Sequence, residues 1–195
     1  VDSFNPEGGR ELRLLATKLN ASPLLVGLYS GAGKLEEGVV YSRCGVPIVS
    51  LKTFSDFILE GIPPYIFAAP GGLYVKIDGE ALVRTRARKR VSLGALAEIA
   101  GVSRRTVQMY QDGMGTTIEV ALRMEEFLGE QIIIPVNPFH YSKEVENSLV
   151  NFDEFGALER VIFQKLHDLG FRVTPTIKCP FEALTKDDEN LWITG

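Results

Sequence analysis

Residues 93–110 read Leu-Gly-Ala-Leu-Ala-Glu-Ile-Ala-Gly-Val-Ser-Arg-Arg-Thr-Val-Gln-Met-Tyr, an order that fits two short helices joined by a tight turn and little else. Leu96 and Ala100 give the first helix a buried stripe, Ala97 is small where a second helix crosses closely, and Gly101 can take the positive φ of the turn. Val102 plugs that turn, Ser103 suits the N-cap of the second helix, and Val107 and Tyr110 face the core. Arg104, Gln108 and Gln111 then share the opposite, outward face at i, i+4 and i+7, flanked by Arg105 and Thr106. All of these can hydrogen-bond base edges or phosphates. Two cations in the first turn oppose the helix macrodipole at roughly 0.3–1 kcal/mol each, and a first turn lying in the major groove of DNA supplies a reason for them.

The charge distribution points to the same stretch. The whole chain carries a formal charge of −4, which read globally argues against a polyanionic partner. Residues 76–111 nevertheless hold eight Lys/Arg (Lys76, Arg84, Arg86, Arg88, Lys89, Arg90, Arg104, Arg105) against three acids, for a local charge of +5. Positive potential is therefore confined to one short segment.

Around that segment the periodicity changes several times. Residues 1–61 predict an α/β module: a helix over 11–19 after a Gly8-Gly9 loop, a strand at 23–28 buried on both faces, strands within 38–50, and a helix over 53–59 opened by Thr53. Residues 62–78 predict a β-hairpin connector turning at Pro70-Gly71-Gly72. Residues 79–129 are all-α, and residues 130–195 predict an extended connector, a helix over 152–169 and a small α/β module. Hydrophobic runs fall short of the ~18–20 residues that span a bilayer, and no signal-peptide pattern opens the chain. A cytoplasmic protein without a membrane partner is expected, and the absence of an initiating methionine predicts a piece of something longer. Cys44 and Cys179 form neither a disulfide framework nor a zinc set and read as small apolar residues.

Gly79-Glu80-Ala81-Leu82-Val83, the segment 93–111 with Asp112-Gly113, and Thr117-Ile118-Glu119-Val120-Ala121-Leu122 together resemble the lambda-repressor/Cro class of DNA-binding domains. Ala68-Ala69-Pro70-Gly71-Gly72-Leu73-Tyr74-Val75, Val102-Ser103-Arg104-Arg105-Thr106, Gly113-Met114-Gly115 and Cys179-Pro180-Phe181-Glu182-Ala183-Leu184-Thr185-Lys186 resemble an archaeal family of helix-turn-helix transcriptional regulators, over nearly the whole chain. The resemblance implies a lambda-repressor-like domain of four to five helices at 79–129. It also implies an amino-terminal module similar to a restriction-endonuclease-like fold, with residues 1–61 as its latter part and any nuclease-type carboxylates and lysine before Val1. One departure stands out: the repressor class often has glutamine, a DNA-backbone contact, where this chain has Leu93. Arg86, Arg88, Lys89 and Arg90 could serve as phosphate ligands instead, or form a solvated basic face.

Other signals are weaker. Tyr29-Ser30-Gly31-Ala32-Gly33-Lys34 lacks the first glycine and the final Ser/Thr of a phosphate-binding loop, with Leu28 and Leu35 in those places, and reads as a loop between strands. Asp187-Asp188-Glu189 diverge and read as a solvated turn, His140 and His167 are isolated, and Phe171, Phe181 and Trp192 read as core of a small domain beside Lys178 and Lys186. The expectation is a sequence-specific transcriptional regulator on double-stranded DNA, with Ser103–Gln111 as recognition helix, no cofactor, no catalytic or metal site and no identified effector. Because one helix reads only a few base pairs, a homodimer is expected. The alternatives are a nuclease-derived protein that its helix-turn-helix delivers to DNA, and a protein-interaction module.

Overall fold

A computed structural model describes residues 3–31, 33–140, 152 and 155–195. The described chain is mixed α/β, with seven α-helices and three sheets. The described residues divide into two compact units, one holding 3–4 and 22–140 and the other 5–21 with 152 and 155–195.

The larger unit is built on a six-stranded sheet whose strands lie in the order β1 (Leu25–Gly27), β5 (Val46–Ser50), β4 (Val39–Arg43), β6 (Ile66–Ala69), β7 (Gly72–Ile77) and β8 (Ile133–Ile134). β2 (Tyr29–Ser30) and β3 (Gly33–Lys34) pair as a separate two-stranded sheet within the segment expected to be a loop between strands. Strands β4 (Val39–Arg43) and β5 (Val46–Ser50) are antiparallel and joined at Cys44-Gly45, whose φ values of 53° and 73° suit a two-residue hairpin turn. β5 is buried throughout. β1 (Leu25–Gly27) runs parallel to β5 at the sheet margin, so Val26 is 41 % exposed rather than buried on both faces as its apolar run suggested. The next helix, α2 (Leu51–Ser55), continues as a π-type turn, Asp56–Glu60. Its N-cap is Ser50, whose Oγ accepts from the Thr53 N–H, three residues before the expected cap at Thr53. Thr53 is buried and accepts from the Gly38 N–H. Phe54 packs inward, whereas Ile58 is exposed.

The expected hairpin forms from β6 (Ile66–Ala69) and β7 (Gly72–Ile77), with Ala69 opposite Gly72. It also lies within the sheet, since β6 pairs in parallel with β4 and β7 pairs with β8 (Ile133–Ile134). Four helices follow: α3 (Gly79–Arg88), α4 (Leu93–Ala100), α5 (Arg104–Gln111) and α6 (Ile118–Leu128). Their core is continuous with the strand before them. Val75 and Ile77 of β7 cluster with Leu82, Leu96, Ala97, Ala100, Val107, Tyr110, Ala121, Met124, Leu128 and Ile132.

In the smaller unit, α1 (Pro6–Lys18) starts earlier than expected because Asn5 accepts from the Gly8 N–H and Pro6 occupies the first position, which places Gly8-Gly9 inside the helix. It accompanies α7 (Ala157–Asp168) and an antiparallel sheet of β9 (Arg172–Pro175), β10 (Ala183–Lys186) and β11 (Leu191–Thr194). The expected helix start at 152 is not where α7 begins, and residues 153–154 of that expectation lie outside the described residues. Glu11 of α1 accepts from the Ile177 and Lys178 N–H groups at 3.0 and 3.1 Å. Partial burial, with Glu11 as neighbour, pushes the Cys179 thiol up to about 11 and keeps it protonated at neutral pH. Asp187 Oδ1 accepts from the N–H groups of Glu189 and Asn190, which makes the acidic run a turn between β10 and β11. No described helix is long and apolar enough to cross a membrane.

Gly79 sits where α3 meets the end of α5, and a Cβ there would fall 2.0 Å from the Gln111 carbonyl oxygen. Gly79→Ala is therefore expected to destabilise the larger unit by about 1–3 kcal/mol, despite the better helix propensity of alanine, as measured by urea denaturation.

Candidate nucleic-acid interface

α4 and α5 are eight residues each, joined through Gly101, Val102 and Ser103. Gly101 has φ +70° and its N–H closes the end of α4, so the turn takes the left-handed conformation that its residue type allows. Ser103 Oγ accepts from the Thr106 N–H at 3.0 Å and pairs with Thr106 Oγ1 at 2.8 Å. Leu96, Ala100 and Val107 are wholly buried. Tyr110 is held more firmly than its apolar contacts require, because its hydroxyl is hydrogen-bonded to buried Thr116 at 2.9 Å.

The outward face of α5 divides into two groups. Arg104, Arg105, Gln108 and Met109 are exposed, and Thr106 is half-buried. Gln111 departs from the expected outward row: it is half-buried, with its Nε2 enclosed and without a hydrogen-bond partner. The physical reason is the close approach of α3, whose Gly79 lies against the Gln111 backbone. Arg104 also turns back on the fold. Its guanidinium lies over Gly94, where an added Cβ would meet Nη2 at 2.9 Å. The charge thus sits at the amino end of α4, beside the cap in which Ser92 Oγ accepts from the Ala95 N–H.

The basic cluster before α4 is less uniform than its sequence suggested. Arg86 is half-buried, donates from Nη1 to the Val91 carbonyl at 3.0 Å, and encloses its Nε. Arg88 is ion-paired with Glu130, and the Lys89 ammonium would lie 3.3 Å from a Cβ at Gly129, the left-handed residue that ends α6. Arg90 is exposed and has φ 55°. Sequence reasoning missed Arg123 on α6, whose Nη1 would lie 3.0 Å from a Cβ at Gly101, directly on the turn. Nothing local in the sequence marks it, because only the packing of α6 on α4 brings it there.

Proteins named "Putative HTH-type transcriptional regulatory protein" match the chain at 42 % identity in Methanocella arvoryzae (100 % of this chain, 61 % of that protein) and 40 % in Archaeoglobus fulgidus (100 % and 62 %). A similarly named protein of Halobacterium salinarum matches at 44 % (94 % and 58 %). Over nearly all of its length the chain is similar to these archaeal proteins. It spans about three fifths of the length of these relatives. Residues 1–64 match the PD-(D/E)XK superfamily domain, in line with the expected restriction-endonuclease-like resemblance. No solved structure matches the chain significantly.

The name PD-(D/E)XK specifies an acid two residues before a lysine, the donor pattern through which a nuclease of this kind would hold a divalent cation. The matched residues contain Lys18, Lys34 and Lys52, preceded at that position by Ala16, Ala32 and Ser50. Ser50 is committed to capping α2, and Lys52 is bound to Asp56, which raises its pKa. No cluster of three or more metal-ligating side chains occurs among the described residues. The residues present do not fit the cation.

Gly94 offers a test of the Arg104 placement. Gly94→Ala is expected to leave stability unchanged or raise it by up to about 1 kcal/mol, since the flexible guanidinium can move aside and alanine favours helix. The same substitution should weaken any anion binding that uses Arg104, as read by duplex affinity beside a thermal melt.

Proposed function

We propose that α5 is the recognition helix of a lambda-repressor/Cro-type domain at residues 79–129, in a protein that regulates transcription by binding specific DNA sequences. The observation that carries this reading is the two-sidedness of α5: Val107 and Tyr110 are locked into the core while Arg104, Arg105 and Gln108 remain exposed. The names of the relatives support a regulator. Gln108 and Arg105 are suited to base edges, and exposed Met109 to a thymine methyl. Arg104, beside the amino end of α4, is better placed for a phosphate, where helix dipole and guanidinium act on the same anion. That contact would replace the one lost at Leu93. Arg90 and Arg123 join it as phosphate ligands, while Arg86 and Arg88 serve the fold.

Reading a pseudo-palindrome takes two copies, so the protein is proposed to act as a cytoplasmic homodimer. The C-terminal module suits that contact. Leu158 and Val161 on α7 and Leu169 at its C-cap are 74, 64 and 68 % exposed. The acidic connector from residue 130 onward is proposed to share in that contact, and its residues 141–151 lie outside the described residues. The PD-(D/E)XK match favours a second reading, a nuclease delivered to DNA by its helix-turn-helix.

The test is binding to a duplex selected from a random pool, at several salt concentrations. Arg104→Ala with Arg105→Ala is expected to weaken specific binding by about 2–4 kcal/mol and to flatten the salt dependence by about two counterions. Unchanged affinity and sequence preference would remove the recognition-helix assignment, and magnesium-dependent cleavage would favour the nuclease.

A further inference from the structure

A cavity of about 480 Å³ opens between α6 and the β6-β7-β8 end of the sheet. Ile66 and Val75 face each other across β6 and β7, and Ile133 and Ile118 close the apolar walls. All four belong to the main core or pack against it. The cavity is therefore an unfilled margin of the core. Its size falls within the range of ordinary small-molecule sites.

Glu125, Gln131 and Tyr65 supply its polar lining, and of these Glu125 is the charged group and is held in place by the backbone. Glu125 Oε1 accepts from the N–H groups of Ile132 and Ile133 at 2.7 and 2.9 Å, which anchors the side chain from α6 to the strand beside it. Among the described residues Oε2 takes part in no hydrogen bond. An anionic oxygen held in place, bordered by isoleucines and open to a cavity, favours a charged N–H donor that brings its own apolar body. The hydrogen bond is charge-assisted and the body covers the isoleucines. An anionic ligand of the same shape would meet the carboxylate unfavourably.

We propose that this cavity binds a small apolar or aromatic cation, an amine or amidine, with its nitrogen on Glu125 Oε2 and its body against Ile66, Ile118 and Ile133. Such a ligand touches α6 and the sheet together, so it stiffens the joint between the helices and the strands. Binding is measured on the protein without DNA and does not depend on how α5 is used.

The experiment follows isoleucine methyl signals by NMR while tryptamine, neutral 3-ethylindole or anionic indole-3-propionate is added to the whole chain. Tryptamine should shift Ile66, Ile118 and Ile133 saturably, with indole-3-propionate at least about tenfold weaker, a difference of ~1.4 kcal/mol. Glu125→Gln keeps an oxygen for the two backbone N–H groups and should bring tryptamine and 3-ethylindole to similar affinity. Ile118→Trp, which fills the cavity from the first turn of α6, should abolish both and carries the test if Glu125→Gln does not fold. The proposal is overturned if tryptamine and benzamidine give no saturable shift at millimolar concentration, if the shifts lie elsewhere, if the propionate binds as well as the amine, or if the tryptophan variant binds unchanged.

Discussion

The arrangement of the candidate interface depends on one backbone pairing between a strand and a loop. Val75 of β7 and Thr116, which precedes α6, exchange N–H and carbonyl groups at 2.8 and 3.0 Å. The Thr116 side chain reaches the Tyr110 hydroxyl near the end of α5. Gly115 makes the approach possible, since a Cβ there would lie 2.9 Å from the Phe67 ring and 3.0 Å from the Val75 carbonyl oxygen. These polar groups are buried, so losing one partner leaves another unsatisfied at a cost of about 1–3 kcal/mol. Asp78 N–H on the Ile132 carbonyl and Glu125 on Ile132 and Ile133 continue the same join. The helices are thereby fixed to the sheet as parts of one core, and α5 is held at both ends, by its Ser103 cap and by Tyr110.

That rigidity sorts the arginines by role. Arg86 and Arg88 end in a backbone carbonyl and a carboxylate, which commits them to closing the loop after α3 and to the segment after α6. Arg105 and Arg123 lie on or near the two-helix turn, while Arg104 reaches back to Gly94 at the start of α4 and Arg90 is exposed in the loop before it. A local charge of +5 in the sequence thus becomes a smaller set of available cations, concentrated by the fold around α4 and α5. The net charge of the chain says little about such a patch, because screening at physiological salt confines its influence to roughly 8 Å.

Much of this was legible in residue order. The buried positions of the two-helix motif, its glycine turn, the Ser103 cap and the β6-β7 hairpin are local matters of periodicity, backbone freedom and side-chain reach. What escaped depended on packing at a distance. The enclosure of Gln111 is set by Gly79, thirty-two positions earlier. The association of α1 with the C-terminal segment rests on Glu11 meeting backbone N–H groups at 177 and 178. The exposure of β1 follows from its marginal place in the sheet, which a run of apolar residues does not reveal. Early helix starts at Pro6 and Leu51 were missed because Asn5 and Ser50 cap through side chains that compete with several equally good neighbours.

The α4–α5 turn is the proposed site of contact with DNA. Amide NMR during titration with a duplex selected from a random pool tests it most directly. The largest shifts are expected on residues 92–94 and 103–109, with β4 and β5 nearly unmoved. Shifts centred on β4 and β5, with 103–109 unperturbed, would contradict it.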